Sequence, residues 1–167
     1  MLNICLFEPE IPQNTGNIAR TCAATGATLH LVHPLGFDIS EKAVRHAGLD
    51  YWHDVTIIEY KNVDEFLKKH SNDNLYFLST KGRNIYSDVD FSKYDDVYLC
   101  FGKESRGIEE DILKAHPDDT LRIPMIGETR SLNLSNSVAI VAYEVLKQQG
   151  FKGFNTQGEL HRLRWED

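Results

Sequence analysis

The first stretch whose residue types suggest chemistry is PQNTGNIART, residues 12–21, which follows a strand-like segment and opens a predicted helix. The start of a helix collects backbone N–H groups that have no partner within the helix. Asn14 or Thr15 as a helix cap and Gly16 as a turn residue account for part of this composition. They do not account for Arg20, which lies further along among small or apolar neighbours. The stretch therefore predicts a site for an anion or a ribose phosphate.

A second stretch, LCFGKESRGI at residues 99–108, places a charged loop between Gly102 and Gly107 directly after an apolar strand. In an open α/β sheet, ligands bind at the carboxyl ends of the strands. The chain has neither GxGxxG nor GxxxxGK[ST], so the usual phosphate cradles are missing. Gly102 is predicted to let a ligand lie close to the backbone. Glu104 is either a ligand contact or an ion-pair partner within the loop, and the residues do not separate these roles.

The third stretch, LRIPMIGETRSLNLSNS at residues 121–137, runs from a strand through a loop into an apolar helix. Helix capping requires one or two of the polar side chains that follow Ser131 and Asn133. The remaining polar groups lie beside a predicted core helix, where buried polar atoms need partners. A ligand with many hydrogen-bonding edges would supply those partners, so this corner is predicted to hold a ligand.

The elements that position these stretches alternate between strand-like and helical patterns. Strands are predicted at residues 3–7, 28–33, 55–60, 75–80, 97–102 and 120–124. Helices are predicted at residues 14–25, 40–47, 63–70, 108–116 and 134–149. Several strands are continuous apolar runs, which is typical of a parallel sheet covered on both faces. The pattern predicts a doubly wound, mostly parallel α/β fold with helices on both faces.

Composition narrows the class of protein. The chain has 167 residues and a formal net charge of −7, which argues against a non-specific basic field but leaves room for a local basic patch. No apolar run is long enough to cross a bilayer, and the first residues carry no basic segment of a signal peptide, so we expect a cytoplasmic protein. Cys5, Cys22 and Cys100 lie in apolar surroundings and are predicted to be buried thiols. No Cys/His spacing predicts a metal site.

The last segment, residues 151–167, differs from the rest in its glycines and scattered aromatic and basic residues. We expect one domain over residues 1–150 and a C-terminal tail over 151–167. The tail is either loosely ordered or docks on this chain, on another subunit or on RNA. The apolar residues available for docking are Phe151, Phe154, Leu160, Leu163 and Trp165.

The three stretches, taken in order with FLSTKG at residues 77–82, resemble the SPOUT superfamily of methyltransferases. Within it, the chain is similar to the small single-domain enzymes that methylate a ribose 2′-hydroxyl at the tRNA wobble position. The resemblance covers most of the chain and implies a C-terminal trefoil knot, a homodimer and S-adenosylmethionine as the methyl donor, with S-adenosylhomocysteine as product and no metal. Residues implied to line the donor pocket are Leu78, Gly102, Ile123, Ser131 and Leu132.

The resemblance also implies a division of work among the polar residues. Arg20 and Asn14 would face the donor held by the partner chain, and Arg20 would stabilise the developing alkoxide of the acceptor ribose. Asn14, Ser131 and Asn133 would orient the ribose. Glu104 would hold the second loop or the acceptor.

Other interpretations remain open from the sequence. The chain is alternatively a non-catalytic RNA-binding or assembly factor, a flavodoxin-like nucleotide binder, or a ribose methyltransferase acting at another RNA position. The preferred wobble base, cytidine or modified uridine, is not readable, and Tyr143 is a core or an interface aromatic. Candidate RNA contacts are Arg45, His46, Lys81, Arg83, Arg106, Arg130 and Arg162.

Overall fold

A computed structural model of the chain describes residues 1–40, 52–127 and 131–166. Its centre is a seven-stranded sheet in the order β3-β2-β1-β6-β4-β7-β5, with every neighbouring pair parallel. The strands are β1 (Leu2–Phe7), β2 (Thr28–Val32), β3 (Ile57–Tyr60), β4 (Leu75–Leu78), β5 (Asn84–Ile85), β6 (Val97–Phe101) and β7 (Thr120–Arg122). The predicted parallel α/β fold is confirmed. Sequence patterning missed β5, because its two exposed residues form no apolar run.

The described helices are α1 (Pro12–Thr25), α2 (Val63–Lys69), α3 (Glu110–Ala115) and α4 (Leu134–Gln148). Helix α1 begins at a proline, whose fixed φ suits the first helical position, and ends at Gly26 in the left-handed conformation with φ 75°. The Asn62 side chain caps α2 by accepting from the Glu65 N–H. The helix predicted at residues 40–47 lies, apart from Ser40, outside the described residues.

Apolar residues cover both faces of the sheet. In β1, Ile4 and Leu6 pack on the face that carries α1 and α4, whereas Cys5 and Phe7 pack on the opposite face against Phe66 of α2. This alternation follows from the two-residue period of a strand. The helices therefore lie on both sides, as predicted, and the carboxyl edge of the sheet stays open for the loops.

An unusual crossing places β7 between β4 and β5, although only residues 79–83 join those two strands. The connecting segment is bonded to β7, since the Ser79 N–H donates to the Leu121 carbonyl at 2.9 Å. Gly82 lies so close that a Cβ there would come within 2.7 Å of the Leu121 carbonyl carbon. Glycine is therefore required where the chain crosses β7.

All three cysteines are buried free thiols, as predicted. Burial raises the pKa of Cys22 to about 12 and also raises the pKa of Cys5. Within the described ranges, no helix is both long and apolar enough to span a bilayer.

Candidate active site

A cavity of about 420 Å³ opens at the carboxyl edge of the sheet. Its walls come from the loops after β1, β4, β6 and β7 and from the start of α4. The cavity size lies within the range of small-molecule sites. Eight of the nine residues singled out from the sequence line it: Asn14, Leu78, Gly102, Glu104, Ile123, Ser131, Leu132 and Asn133. Arg20 is the exception.

The Glu104 carboxylate joins the loop after β6 to the start of α1. Its Oε1 accepts from the Glu10 N–H at 2.9 Å, and its Oε2 accepts from the Ile11 N–H at 2.9 Å and from Asn14 Nδ2 at 3.1 Å. A carboxylate in this position also faces the positive end of the helix dipole. The Glu104 carboxylate therefore ties the second loop to the start of α1, and because it also lines the cavity, its contact with a ligand or acceptor stays a prediction.

A second carboxylate, that of Glu10, makes the reverse contact from the segment before α1 to the loop after β6. Glu10 Oε1 accepts from the Ser105 N–H at 2.9 Å and from Ser105 Oγ at 2.6 Å. These hydrogen bonds lower the pKa of Glu10. We call the paired contacts of Glu10 and Glu104 the carboxylate clamp. Sequence reasoning missed Glu10, because an acid shortly before a helix usually signals only a favourable charge.

The clamp changes the interpretation of the first motif. The N-cap position of α1 is Ile11, which makes no side-chain cap, and Asn14 lies inside the first turn. Asn14 and Thr15 therefore do not cap this helix, and Glu104 from another loop instead accepts from the backbone N–H groups of Glu10 and Ile11, which precede its first turn. Thr15 is fully buried, and its hydroxyl has no hydrogen-bond partner among the described residues.

The loop after β6 closes on itself around Gly102. A Cβ at Gly102 would lie 2.0 Å from the Gly107 carbonyl carbon and 2.3 Å from the Ile108 nitrogen. The Gly107 N–H donates to the Lys103 carbonyl at 2.8 Å, and Gly107 itself has φ 70°. The glycine at 102 is thus explained by close backbone packing within the loop, rather than by the approach of a ligand alone.

In the third motif, more polar side chains take part in capping α4 than the sequence predicted. Asn133 Oδ1 accepts from the Ser135 N–H at 2.9 Å, from Ser135 Oγ at 2.6 Å and from the Asn136 N–H at 3.4 Å. Ser137 Oγ also donates to the Asn133 carbonyl at 3.2 Å. The polar groups of Asn133, Ser135 and Ser137 are therefore partnered within the cap itself and need no ligand as a hydrogen-bond partner. Ser131 is exposed at the cavity wall and plays no part in these caps.

Arg20 lies on the exposed face of α1, outside the cavity of its own chain. It borders a shallow surface groove between α1 and α4, together with Asn17, Ser135 and Tyr143. Tyr143 is 43% exposed and Ile140, on the same helix, is 38% exposed. In one chain Tyr143 is therefore not a core residue.

Basic side chains gather near the cavity mouth. Lys81, Lys103 and Arg106 line the cavity, and two of them are partly neutralised: Lys81 Nζ lies 3.2 Å from Glu110, and Lys103 Nζ lies 3.9 Å from Glu8. The predicted RNA contacts Arg45, His46 and Arg130 lie outside the described residues.

A buried polar chain that the sequence analysis missed runs away from this site. Asn3 Oδ1, the His30 ring, the Tyr60 hydroxyl, the His70 ring and Asp73 Oδ2 are joined by four successive contacts of 2.8 Å. Burial, followed by the nearby His70 and Lys69, lowers the pKa of His30 to about 4. Among the described residues, no group of three His, Cys, Asp or Glu side chains is placed to hold a metal ion.

The parallel sheet, its crossed β4–β7–β5 edge and the cavity built from the three motif loops define an α/β protein with a ligand site at the carboxyl edge of its sheet. The chain matches the SpoU rRNA Methylase family over residues 1–143 and belongs to that family. It is 47% identical over 154 residues to a tRNA (cytidine(34)-2′-O)-methyltransferase of Saccharophagus degradans, covering 92% of this chain and 99% of that relative.

Two solved structures share the fold. One, whose subject is the 2-OH methylation of C/U34 on tRNA, aligns with a TM-score of 0.80 and 43% identity, covering 89% of this chain and 95% of that one. The other, an AdoMet-bound rRNA methyltransferase from Sinorhizobium meliloti, aligns with a TM-score of 0.74 and 26% identity, covering 87% of this chain and 56% of that one.

Proposed function

We propose that this chain transfers a methyl group from S-adenosylmethionine to the ribose 2′-hydroxyl of the wobble nucleotide, cytidine or modified uridine, in tRNA anticodon loops. The observation that carries the proposal is that loops distant in sequence, each bearing one of the motifs, converge on one cavity at the carboxyl edge of the sheet. Relatives named for this reaction match nearly the whole chain.

The residues present fit the proposed donor. The cavity offers apolar side chains for an adenine ring, among them Leu78, Phe101 and Ile123. The hydroxyl of Ser131 and the backbone of residues 102–107 supply polar groups at its wall. When bound, the donor supplies an activated methyl group on a sulfonium sulfur, so the protein's work is alignment of the acceptor and removal of its proton.

The chemistry assigned to the protein is an in-line displacement. In this step the ribose oxygen would bond to the methyl carbon as the carbon–sulfur bond breaks, the sulfur would keep that bond's electron pair, and the 2′-hydroxyl proton would pass to water. Arg20 stabilises the negative charge that develops on the ribose oxygen, and Asn14 with Ser131 and Asn133 orients the ribose. Alignment of this kind contributes about 7–11 kcal/mol in favourable cases. The cavity residues bind and align, and Arg20 provides the charge.

We infer a homodimer because Arg20 lies outside the cavity of its own chain. The α1–α4 groove that Arg20 borders also presents Tyr143, and α4 exposes Ile140. In the dimer that we infer, two such faces pair and Arg20 of one chain extends toward the cavity of the other. In this arrangement each active site takes its donor pocket from one chain and its arginine from the partner.

Mixing inactive variants tests this arrangement. Arg20→Ala, which keeps the cavity, is combined with Gly102→Val, which fills the loop but keeps Arg20. Random hybrid dimers would contain one intact composite site, so about a quarter of the wild-type activity should return. A site built within one chain would give no recovery, and a strictly monomeric active enzyme would contradict the dimer.

We further propose that the C-terminal part of the chain forms a trefoil knot. The crossing of residues 79–83 over β7 supports this, because it places a loop directly against the strand from which the chain continues toward α4. Residues 1–150 would form one methylase domain and residues 151–167 an appended tail. The buried thiols favour a reducing compartment, and we propose the cytoplasm.

The deciding experiment is incubation of purified protein with total tRNA and methyl-labelled donor, followed by mapping of the labelled nucleosides. We expect label only in 2′-O-methylated nucleosides at position 34. Label at another position, or in ribosomal RNA, would overturn the wobble assignment. Binding of RNA without any donor binding would instead favour the non-catalytic RNA-binding alternative.

A further inference from the structure

The end of the chain leaves the body of the protein as a separate element. Phe151 and Phe154 still pack against the core and against each other, with ring centroids 5.9 Å apart. Every described residue after Phe154 is exposed. Among residues 155–166 the one hydrogen bond is internal, from Trp165 Nε1 to the Gly158 carbonyl at 3.1 Å. We call residues 158–165, which this bond closes into a loop, the C-terminal hook.

The hook presents aromatic and cationic groups together. Trp165 is 67% exposed and Leu163 is 66% exposed, whereas buried aromatic and leucine side chains dominate the body. Arg162 and Arg164 alternate with them, and within the described part of the chain neither guanidinium has an ion-pair or hydrogen-bond partner. Between Leu160 and Trp165 the charged residues are Arg162 and Arg164, whereas Glu159 also lies in the hook and Glu166 and Asp167 follow it in the sequence. The hook thus carries two guanidinium groups next in sequence to an exposed indole, in a chain with a net charge of −7.

This composition matches what a flexible RNA strand requires. Bases stack on exposed aromatic rings without regard to sequence, and guanidinium groups pair with phosphates. The match to the SpoU family ends at residue 143, so the hook lies outside the methylase region. An element that follows the region matched to an RNA-modifying family is in a position to increase the affinity for RNA.

We propose that the C-terminal hook is an accessory RNA-binding element that grips the tRNA anticodon arm, an inference that rests on the proposed function. The Trp165 indole stacks on an unpaired base, and Arg162 and Arg164 neutralise two backbone phosphates. RNA is favoured over a second copy of the chain because the hook combines free cations with an aromatic face.

The proposal predicts a specific salt dependence. Each neutralised phosphate of a single strand adds about 0.7 to the slope of log affinity against log salt concentration. Removing both arginines should therefore reduce that slope by about 1.4. Removing the indole should weaken binding about tenfold without changing the slope, because stacking releases no counterions.

The test measures binding of a fluorescein-labelled anticodon stem-loop RNA by anisotropy over a salt series. The variants are Arg162→Ala/Arg164→Ala and Trp165→Ala. A double variant with the same charge change, Lys61→Ala/Lys68→Ala, is the matched control, since both lysines are exposed. In a Trp52→Phe background, Trp165 is the one remaining tryptophan, and its fluorescence should be quenched by the RNA.

The outcomes separate this inference from the proposed function. Equal loss of slope in the control and the hook variants, or wild-type RNA affinity in the hook variants, would overturn it. Dissociation of the dimer on removal of the hook, seen by sedimentation with RNA affinity unchanged, would assign the hook to a second copy and overturn it as well. Donor affinity and methyl transfer at saturating RNA are measured in parallel. Their absence despite hook-dependent RNA binding would remove the proposed function but not the hook's role.

Discussion

The carboxylate clamp makes a prediction that depends on single atoms. Glu104 uses both oxygens as acceptors, one for the Glu10 N–H and the other for the Ile11 N–H and the Asn14 amide. Glu10 uses one oxygen, which accepts both bonds from Ser105. The same substitution, glutamate to glutamine, should therefore have different effects at the two positions.

In Glu104→Gln, one acceptor becomes an NH₂ group, which then faces a backbone N–H in either orientation of the amide. At least one hydrogen bond to a charged group is lost, worth about 1.5–3 kcal/mol. Because Glu104 is only half-buried, we take about 2 kcal/mol, which corresponds to a shift of up to about thirtyfold in the docking of the loop against α1. In Glu10→Gln, the NH₂ group occupies the position of the unused oxygen, so both bonds to Ser105 remain.

The assay is calorimetric titration of each variant with S-adenosylhomocysteine, together with steady-state methyl transfer onto an anticodon stem-loop. We expect Glu104→Gln to bind up to about thirtyfold more weakly and Glu10→Gln to stay within about threefold of wild type. Thermal unfolding controls for global stability. Equal effects at the two positions, or wild-type donor affinity in Glu104→Gln, would show that the carboxylate clamp does not position the loop after β6 for donor binding.

Three further predictions follow from other parts of the molecule. Gly102→Ala should abolish donor binding, because the new Cβ would lie 2.0 Å from the backbone of the same loop. Gly26→Ala has open space around its Cβ but a φ of 75°, so it should cost about 1 kcal/mol of stability and leave donor affinity intact. Titration calorimetry measures donor affinity and urea unfolding measures stability, and loss of donor binding in both variants would contradict the close packing at Gly102 as the cause. Arg20→Ala should lower methyl transfer at least about a hundredfold with little change in donor affinity; weaker donor binding would place Arg20 in the pocket instead. Burial lowers the pKa of His30 to about 4 in the folded chain, whereas in the unfolded chain it is about 6.5. As pH falls below about 6.5, His30 is therefore protonated in the unfolded chain but stays neutral in the folded chain, which favours unfolding. The free energy of unfolding of the wild type should therefore fall by up to about 3 kcal/mol between pH 6.5 and pH 4. Urea unfolding of His30→Gln over the same pH range should show a smaller decrease. An equal decrease in the variant and the wild type would show that His30 is not the responsible group.

The amino-acid sequence determined the parts of this protein that depend on local pattern. Apolar runs bounded by glycine, proline and polar residues located six of the seven described strands to within a few residues. The strands' continuous hydrophobicity indicated a parallel sheet, because both faces of such a sheet are covered. The three motif loops were found for the same reason: each follows an apolar strand and precedes a helix, so its place at the carboxyl edge follows from chain order.

Only the tertiary structure decided which groups satisfy one another. Glu10 and Ser105 are 95 positions apart, and nothing near either residue announces their contact. Asn14 was one candidate cap for its own helix, yet its side-chain amide donates to Glu104 of a distant loop. The two exposed residues of β5 form a strand only because they pair with β7. Arg20 lies outside the cavity because its side of α1 borders the groove between α1 and α4. Hydrogen bonds between remote segments depend on the order of strands in the sheet, which residue type and spacing along the chain do not encode locally.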